Sequence, residues 1–448
     1  MRSVSGLRGL VGVDLSPVVV RRYAAAFGAL IAGRGGRAVA LGRDSRQSGP
    51  VFVAAAADAL VAAGVDVVDL GMVPTPTVQL AVELLRLDGG IVVTASHNPV
   101  EWNALKFVGP SGRFLGRADV EALFALADRG AAGPGGTPGA IRRDATSVRA
   151  HVDRVLGLPW LDLAAIRSRR FRVALDCVRG AGATIMPTLL EALGCEVHGI
   201  HLEPDGRFPR EPEPVPEHLG ELGDLVRGRH ADVGMAVDPD VDRLALVDET
   251  GSPIGEDYTL AFAVRAVLPR RRGPVVTNLS TSLVVDDAAR EHGVAVERAP
   301  VGEANVVERM AARGAVIGGE GNGGVIAPEV HLGRDAPVAA TLALALLAAR
   351  RQPVSAVVDS APRYAIVKAK QPRPGGSLDA AFAALRGAVP GAAEDRQDGL
   401  RLSLADRWVH LRPSGTEPVV RIIAEAPTRA EAEALVEHGR AALAHIGR

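Results

Sequence analysis

The 448-residue chain exceeds what one hydrophobic core supports, and at ~150 residues per domain its length predicts about three domains. Apolar residues make up 47% and charged residues 23%, rich in Ala, Gly and Val with few aromatics, a composition suited to layered α/β packing. With 51 Lys+Arg against 52 Asp+Glu the formal charge is -1, which leaves no long-range field for nucleic acid or an anionic membrane as partner.

Taken in chain order, three stretches follow one plan of apolar strand, helix, glycine and second apolar strand. The first runs from AVALGRD to LVAAGVDVVDLG, the second from FRVALDCVRGAG to LLEALGCEVHGI, the third from PVVTNLSTS to DAAREHGVAVERA. Gly64, Gly194 and Gly293 stand where a helix ends and the chain turns into the next strand. Gly/Pro-rich breaks at 129–140, around 248–257 and at 370–377 mark boundaries, the last a hinge candidate. Beyond it the pattern alternates, LRLSLAD, RWVHLRP and VVRIIAE before an Ala/Glu helix, which predicts a small α+β domain. The expected division is 1–140, 141–250, 251–358 and 359–448. Cys177 and Cys195 lack metal-ligand spacing, are too few for a disulfide framework, and read as core thiols of a reducing compartment. The longest apolar run, Val338 to Ala349, is too short to span a membrane, and a cytoplasmic protein is expected.

Four loops carry chemistry. TASHNP, 94–99, follows the apolar strand GGIVV, so Ser96 sits at a strand's exit, where open α/β sheets bind ligands; it lacks the flanking glycines of a hydrolase elbow. In DPDVDR, Asp238, Asp240 and Asp242 alternate, and in an extended segment they would share a face, a concentration of charge that suits a hard divalent cation. An EF-hand is excluded, since Arg243 occupies the required glycine position and Leu244 to Val247 read as a strand. In GGEGNGG, Gly319, Gly321 and Gly324 mimic a dinucleotide fingerprint, but Glu320 would oppose a pyrophosphate and no helix opens afterwards; Glu320 and Asn322 suit sugar hydroxyls instead. RPSGTEPVVRI groups Arg412, Ser414, Gly415, Thr416 and Arg421, a set that can enclose a phosphate.

Together with SGLRG, GRDSRQSG and VPTPTVQLAV, these loops in this order resemble the α-D-phosphohexomutase family over nearly the whole chain. The resemblance implies three related α/β domains and a C-terminal α+β domain around a central cleft. It implies Ser96 as a phosphoserine, one Mg2+ held by Asp238, Asp240, Asp242 and the Ser96 phosphate, and Arg243 as an adjoining contact. Glu320 and Asn322 would read the sugar, and Arg412, Ser414, Gly415, Thr416 and Arg421 would hold the substrate's phosphate. Arg8 and Lys106 match positions near the transferring phosphoryl group. The implied reaction interconverts hexose 6-phosphate and hexose 1-phosphate through a sugar bisphosphate, in a monomer or homodimer.

Many relatives carry a histidine where this chain has Gly324, so Lys106, His97 and His331 become the acid/base candidates, Lys106 first. Within the class, the E-x-N-G-G loop and PVGEANVVERM resemble the phosphoglucosamine mutase branch more than the glucose and mannose enzymes. The more distant alternatives are a magnesium-dependent sugar phosphatase, in which an aspartate would be the nucleophile, and a catalytically silent phosphosugar-binding regulator.

Overall fold

The computed structural model describes residues 2–3, 6–130, 137–414 and 417–444. Its first sheet contains strands Ala38–Arg43, Asp66–Met72 and Gly89–Val93, which are mutually parallel, and Trp102–Val108, which returns antiparallel to Gly89–Val93. The second repeats that order with Arg172–Asp176, Glu196–Ile200, Val233–Val237 and the antiparallel return Leu244–Val247. The third does so again with Val275–Asn278, Val296–Ala299, Ile317–Glu320 and the return Gly324–Ile326. The repeated strand, helix, glycine and strand seen in the sequence form the parallel pairs of each sheet. Gly64, Gly194 and Gly293 take φ of 77, 78 and 66°, the left-handed conformation that ends a helix without a Cβ clash.

In each sheet the parallel strand that precedes the antiparallel return is fully buried: GGIVV, VGMAV and IGGE. Covered on both faces, such strands read as unbroken runs of apolar and small residues rather than alternating ones. The loop joining each to its return strand lies at the carboxyl end of the parallel strands, and the three loops carry Ser96, the aspartate trio and the Glu320 turn respectively. One topological position, used three times, thus presents three of the four chemical loops. The fourth loop joins antiparallel strands Trp408–Pro413 and Val419–Ala426 of a five-stranded sheet, backed by helices Asp379–Ala388 and Arg429–Ala444.

Several expectations change. Strand Ile141–Arg143 pairs with Asp66–Met72, so the first sheet extends past residue 140; its exposed IRR has no apolar alternation to reveal it. The 370–377 segment is no interdomain hinge: Lys370–Pro372 belong to strand Ala365–Pro372 and pair with Val419–Ala426 inside the last domain. The chain crosses between the third and fourth domains at 360–364, after helix Val354–Asp359. Cys177 is buried, as expected, but Cys195 is only partly so; burial pushes the Cys195 thiol up to about 12.

The second and third domains share one apolar core, centred on helices Asp257–Val267 and Ala336–Arg350. The latter starts cleanly because the Asp335 side chain accepts from Val338 N–H at 3.0 Å and Pro337 fits the first turn. It is apolar nearly all round, as a helix enclosed by its neighbours must be. The first and fourth domains have cores of their own. Among the described residues no helix is long and apolar enough to cross a membrane. Phe262, wholly buried in the shared core, tests its continuity. Phe262→Ala is expected to lower unfolding free energy by about 3–5 kcal/mol in urea titration, with the second and third domains melting together; a loss below about 1 kcal/mol would contradict a continuous core.

Candidate active site

Ser96 follows Gly89–Val93 with a φ of 51°, an uncommon conformation for a residue with a Cβ. The strain is held in place by Arg46, which is fully buried and donates to four carbonyls of this loop: Ser96 O at 2.7 Å, Asn98 O at 2.6 Å, Pro99 O at 2.6 Å and Trp102 O at 2.8 Å. Its remaining arm pairs with Asp44 at 3.0 Å, whose other bonds come from Thr94 Oγ1 at 2.7 Å and Arg46 N–H at 2.9 Å. Arg8 donates to Asn98 Oδ1 at 2.8 Å in the same loop.

The aspartates converge differently from the sequence expectation. Strand Val233–Val237 has ended before Asp238, and residues 238–243 form the hairpin loop to Leu244–Val247, with Val241 at φ 66°. Loop curvature, not pleat alternation, gathers the carboxylates, which lie buried with ligand atoms within 4.8 Å of one another. Ser96 Oγ donates to Asp238 Oδ2 at 3.1 Å, so the hydroxyl and the trio meet across two domains.

Each carboxylate has one oxygen tied by the protein. Asp238 Oδ1 accepts from the N–H groups of Asp242 and Arg243, both at 3.1 Å. Asp240 Oδ2 accepts from Thr75 Oγ1 at 2.6 Å and Lys106 Nζ at 2.7 Å. Asp242 Oδ2 accepts from Arg334 Nη2 at 2.6 Å. The opposite oxygens of Asp240 and Asp242 are buried without a hydrogen-bond partner, and that of Asp238 faces Ser96. Burial and the like charges of Asp242 and Asp240 push Asp238 well above the usual carboxylate range. Orphaned buried carboxylate oxygens on such a group fit a hard, oxygen-seeking divalent cation.

Lys106 is charged in this setting. Burial works against its ammonium, but Asp240 and Asp242, at 2.7 and 3.6 Å, outweigh that and hold its pKa above the ordinary value. His97 is the opposite case: burial, reinforced by Arg243, Arg8 and Arg334, holds it well below its usual pKa, and its Nδ1 lies 3.3 Å from Ser96 Oγ. A neutral imidazole beside the hydroxyl and a pinned ammonium beside the carboxylates have separate chemical uses. His331 lies elsewhere: it and His151 both direct Nε2 at Asp335 Oδ2, at 2.9 and 2.7 Å, in a buried hydrogen-bonded group.

Glu320 is buried at the end of its strand, its Oε1 accepting from Asn278 Nδ2 at 2.9 Å and Gly302 N–H at 3.0 Å, its Oε2 from Arg334 Nη1 at 3.2 Å. Asn322 turns its Oδ1 to the Gly324 N–H at 3.2 Å. Arg243 pairs with Glu213 at 2.7 Å. In the last domain Arg412 and Arg421 are cross-strand partners, engaged by Asp398 at 2.7 Å and Glu417 at 3.2 Å respectively, and Ser414 begins the loop between them. Gly415 and Thr416 lie outside the described residues.

Family profiles match in this order along the chain: phosphoglucomutase/phosphomannomutase α/β/α domain I over residues 2–132, domain II over 149–251, domain III over 255–364, and the C-terminal domain over 367–441. A Methanopyrus kandleri protein named probable phosphoglucosamine mutase is 37% identical, covering 96% of this chain and 95% of its own. The chain belongs to the phosphoglucomutase/phosphomannomutase family. It is a phosphohexomutase, an enzyme of the isomerase class. A Thermococcus kodakarensis relative named phosphoglucomutase/phosphomannomutase is 36% identical over 97% of this chain and 96% of its own. The crystal structure of a Burkholderia thailandensis member of the family superposes with a TM-score of 0.88 at 29% identity, covering 100% of this chain and 98% of that one.

Two buried arginines of this phosphohexomutase's site, Arg46 and Arg334, are absent from the residues the sequence motifs point to. The signal for Arg46 was present, since GRDSRQSG belongs to the ordered motifs; Arg334 stood unremarked beside His331 in HLGRDA. Arg46→Ala strands the buried Asp44 carboxylate and frees the serine loop. It is expected to cost about 3–5 kcal/mol of stability by chemical denaturation, and a change under about 1 kcal/mol would show that the guanidinium does not hold the loop.

Proposed function

We propose that the enzyme interconverts glucosamine 6-phosphate and glucosamine 1-phosphate through phosphorylated Ser96 and a bisphosphorylated sugar. The observation that carries the phosphoserine reading is the contact of Ser96 Oγ with Asp238 and His97, one a member of a cation-ready carboxylate group and the other a neutral base. In the first half-reaction a sugar hydroxyl attacks the phosphorus on Ser96; the new P–O bond forms as the P–Oγ bond breaks. The hydroxyl's proton goes to a base, for which His97 is suited, and the Ser96 oxygen recovers a proton before the cycle repeats in reverse. After the bisphosphate turns end for end, its other phosphoryl returns to Ser96.

Asp238, Asp240 and Asp242 would hold Mg2+ by one oxygen each. When bound, Mg2+ withdraws charge from the transferring phosphoryl group. Lys106 and Arg8 add fixed positive charge on the same side of the cleft, where it is needed in the transition state. Glu320 Oε1 and Asn322 Oδ1 would take the sugar hydroxyls in exchange for their bonds to Asn278, Gly302 and Gly324, while Glu320 Oε2 keeps Arg334. Arg412, Ser414, Gly415, Thr416 and Arg421 would grip the phosphate that is not being transferred, so that binding remote from the reacting atoms fixes orientation. The glucosamine assignment rests on the 37% identical relative's name and on the E-x-N-G-G turn; the relative named phosphoglucomutase/phosphomannomutase keeps glucose and mannose phosphates in the comparison.

Rates with glucosamine, glucose and mannose 6-phosphates, each with a trace of the matching bisphosphate, test this directly. Glucosamine 6-phosphate is expected to lead in kcat/KM by about tenfold or more; an equal or greater value for glucose or mannose phosphate reassigns the sugar. Ser96→Ala is expected to abolish turnover with the fold intact, and retained mutase activity would end the phosphoserine proposal. Chelation by EDTA should silence the wild-type enzyme and Mg2+ should restore it, whereas full activity in EDTA would remove the cation from the scheme.

A further inference from the structure

Gly324 opens the return strand after the Glu320 turn, and the structure shows what fills the space beside it. A Cβ built at Gly324 would lie 2.3 Å from Cδ and 3.0 Å from Cγ of Arg334. Gly324 is absent from the residues with positive φ, so its backbone accepts a side chain; the arm of Arg334 is the obstacle. Arg334 is 8% exposed and all three guanidinium nitrogens are committed: Nη2 to Asp242 Oδ2 at 2.6 Å, Nη1 to Glu320 Oε2 at 3.2 Å and Nε to Glu303 Oε2 at 3.0 Å. Asp242 belongs to the metal-ready loop of the second domain and Glu320 to the sugar-side loop of the third. One planar cation therefore ties both.

The backbone around it is fixed as well. Leu244 N–H donates to Gly323 O at 3.0 Å and Ala336 N–H to Val241 O at 3.1 Å, stitching the two loops together. A Cβ on Gly323, at φ 85°, would lie 2.4 Å from Leu244 O, so only glycine allows that approach. Asp335, next to Arg334, is held by His151, His331 and the first turn of its own helix. Arg334 thus projects from a rigid base, and by occupying Asp242 Oδ2 it leaves Oδ1 as the oxygen on offer.

We propose that Arg334 is a positioning residue of the mutase reaction, standing in the volume that a side chain at 324 would take and setting the sugar-side carboxylate Glu320 against the metal-side carboxylate Asp242. The inference rests on the mutase reading above. It makes sugar recognition and cation binding mutually dependent: displacing the guanidinium alters both at once. Lysine retains the charge but not the fork, and cannot reach Asp242, Glu320 and Glu303 in one plane.

The test combines Arg334→Lys, Arg334→Ala, Gly324→His and the double variant Arg334→Ala/Gly324→His, each checked for folding by thermal melting. Arg334→Lys is expected to lower kcat/KM about tenfold or more, and to weaken Mg2+ binding measured calorimetrically without substrate. Gly324→His alone should lose activity through collision with the Arg334 arm, and the double variant should exceed Gly324→His because the space is then free. Wild-type kinetic constants and Mg2+ affinity in a folded Arg334→Lys, or a double variant no better than Gly324→His, would overturn the proposal. Ser96→Ala separates this from the underlying reading: if it is dead while Arg334→Lys is normal, only the role of Arg334 falls; if it is active, the phosphoserine scheme falls first.

Discussion

Three aspartates buried within one six-residue loop are the constraint on which the site depends. Like charges at such spacing repel, and desolvation makes each ionised carboxylate more costly, so compensation from outside the loop is added to its own N–H bonds on Asp238. It comes from two directions. Thr75, Ser96 and Lys106 reach in from the first domain, and Arg334 from the third. Together with the N–H groups of Asp242 and Arg243, these partners from the neighbouring domains hold the second domain's loop where the loops of three sheets meet.

The arrangement follows from topology repeated three times. In each α/β domain the parallel strand next to the antiparallel return ends at the cleft, so the turn between the two is aimed at the common centre. What differs is the cargo: a strained serine loop braced by Arg46, a carboxylate hairpin, and a glycine-rich turn carrying Glu320 and Asn322. Gly319 shows how tight the third version is, because a Cβ there would lie 2.1 Å from Gly324 O across the hairpin.

Much of this was legible in the sequence because it depends on neighbours along the chain. Unbroken apolar runs marked buried parallel strands, glycines marked helix ends, and the four loops stood out by composition. The convergence of Asp238, Asp240 and Asp242 was anticipated, but for the wrong local reason, since an alternating pattern does not distinguish a strand from a tight hairpin loop. The braces were harder. Arg334 lies 92 residues from Asp242, and Arg46 lies 50 from Ser96; a single buried arginine has no periodicity to announce it. Strand Ile141–Arg143 went unseen for a related reason, being short, exposed and charged at the sheet's edge.

The seam between the third and fourth domains has a different character from the fused core of the second and third. Ser280 meets His410 at 2.9 Å, Ser282 and Leu283 N–H both bond Glu425, Tyr364 donates to Asp287 at 2.9 Å, and Val301 N–H meets Asp398 at 3.2 Å. The apolar cluster of the last domain is closed on itself. Water can replace each polar partner as the two surfaces part, whereas it cannot replace a buried aliphatic contact. The bonds that fasten the terminal lobe to the third domain are thus ones that solvent can exchange, unlike the aliphatic packing that joins the second and third.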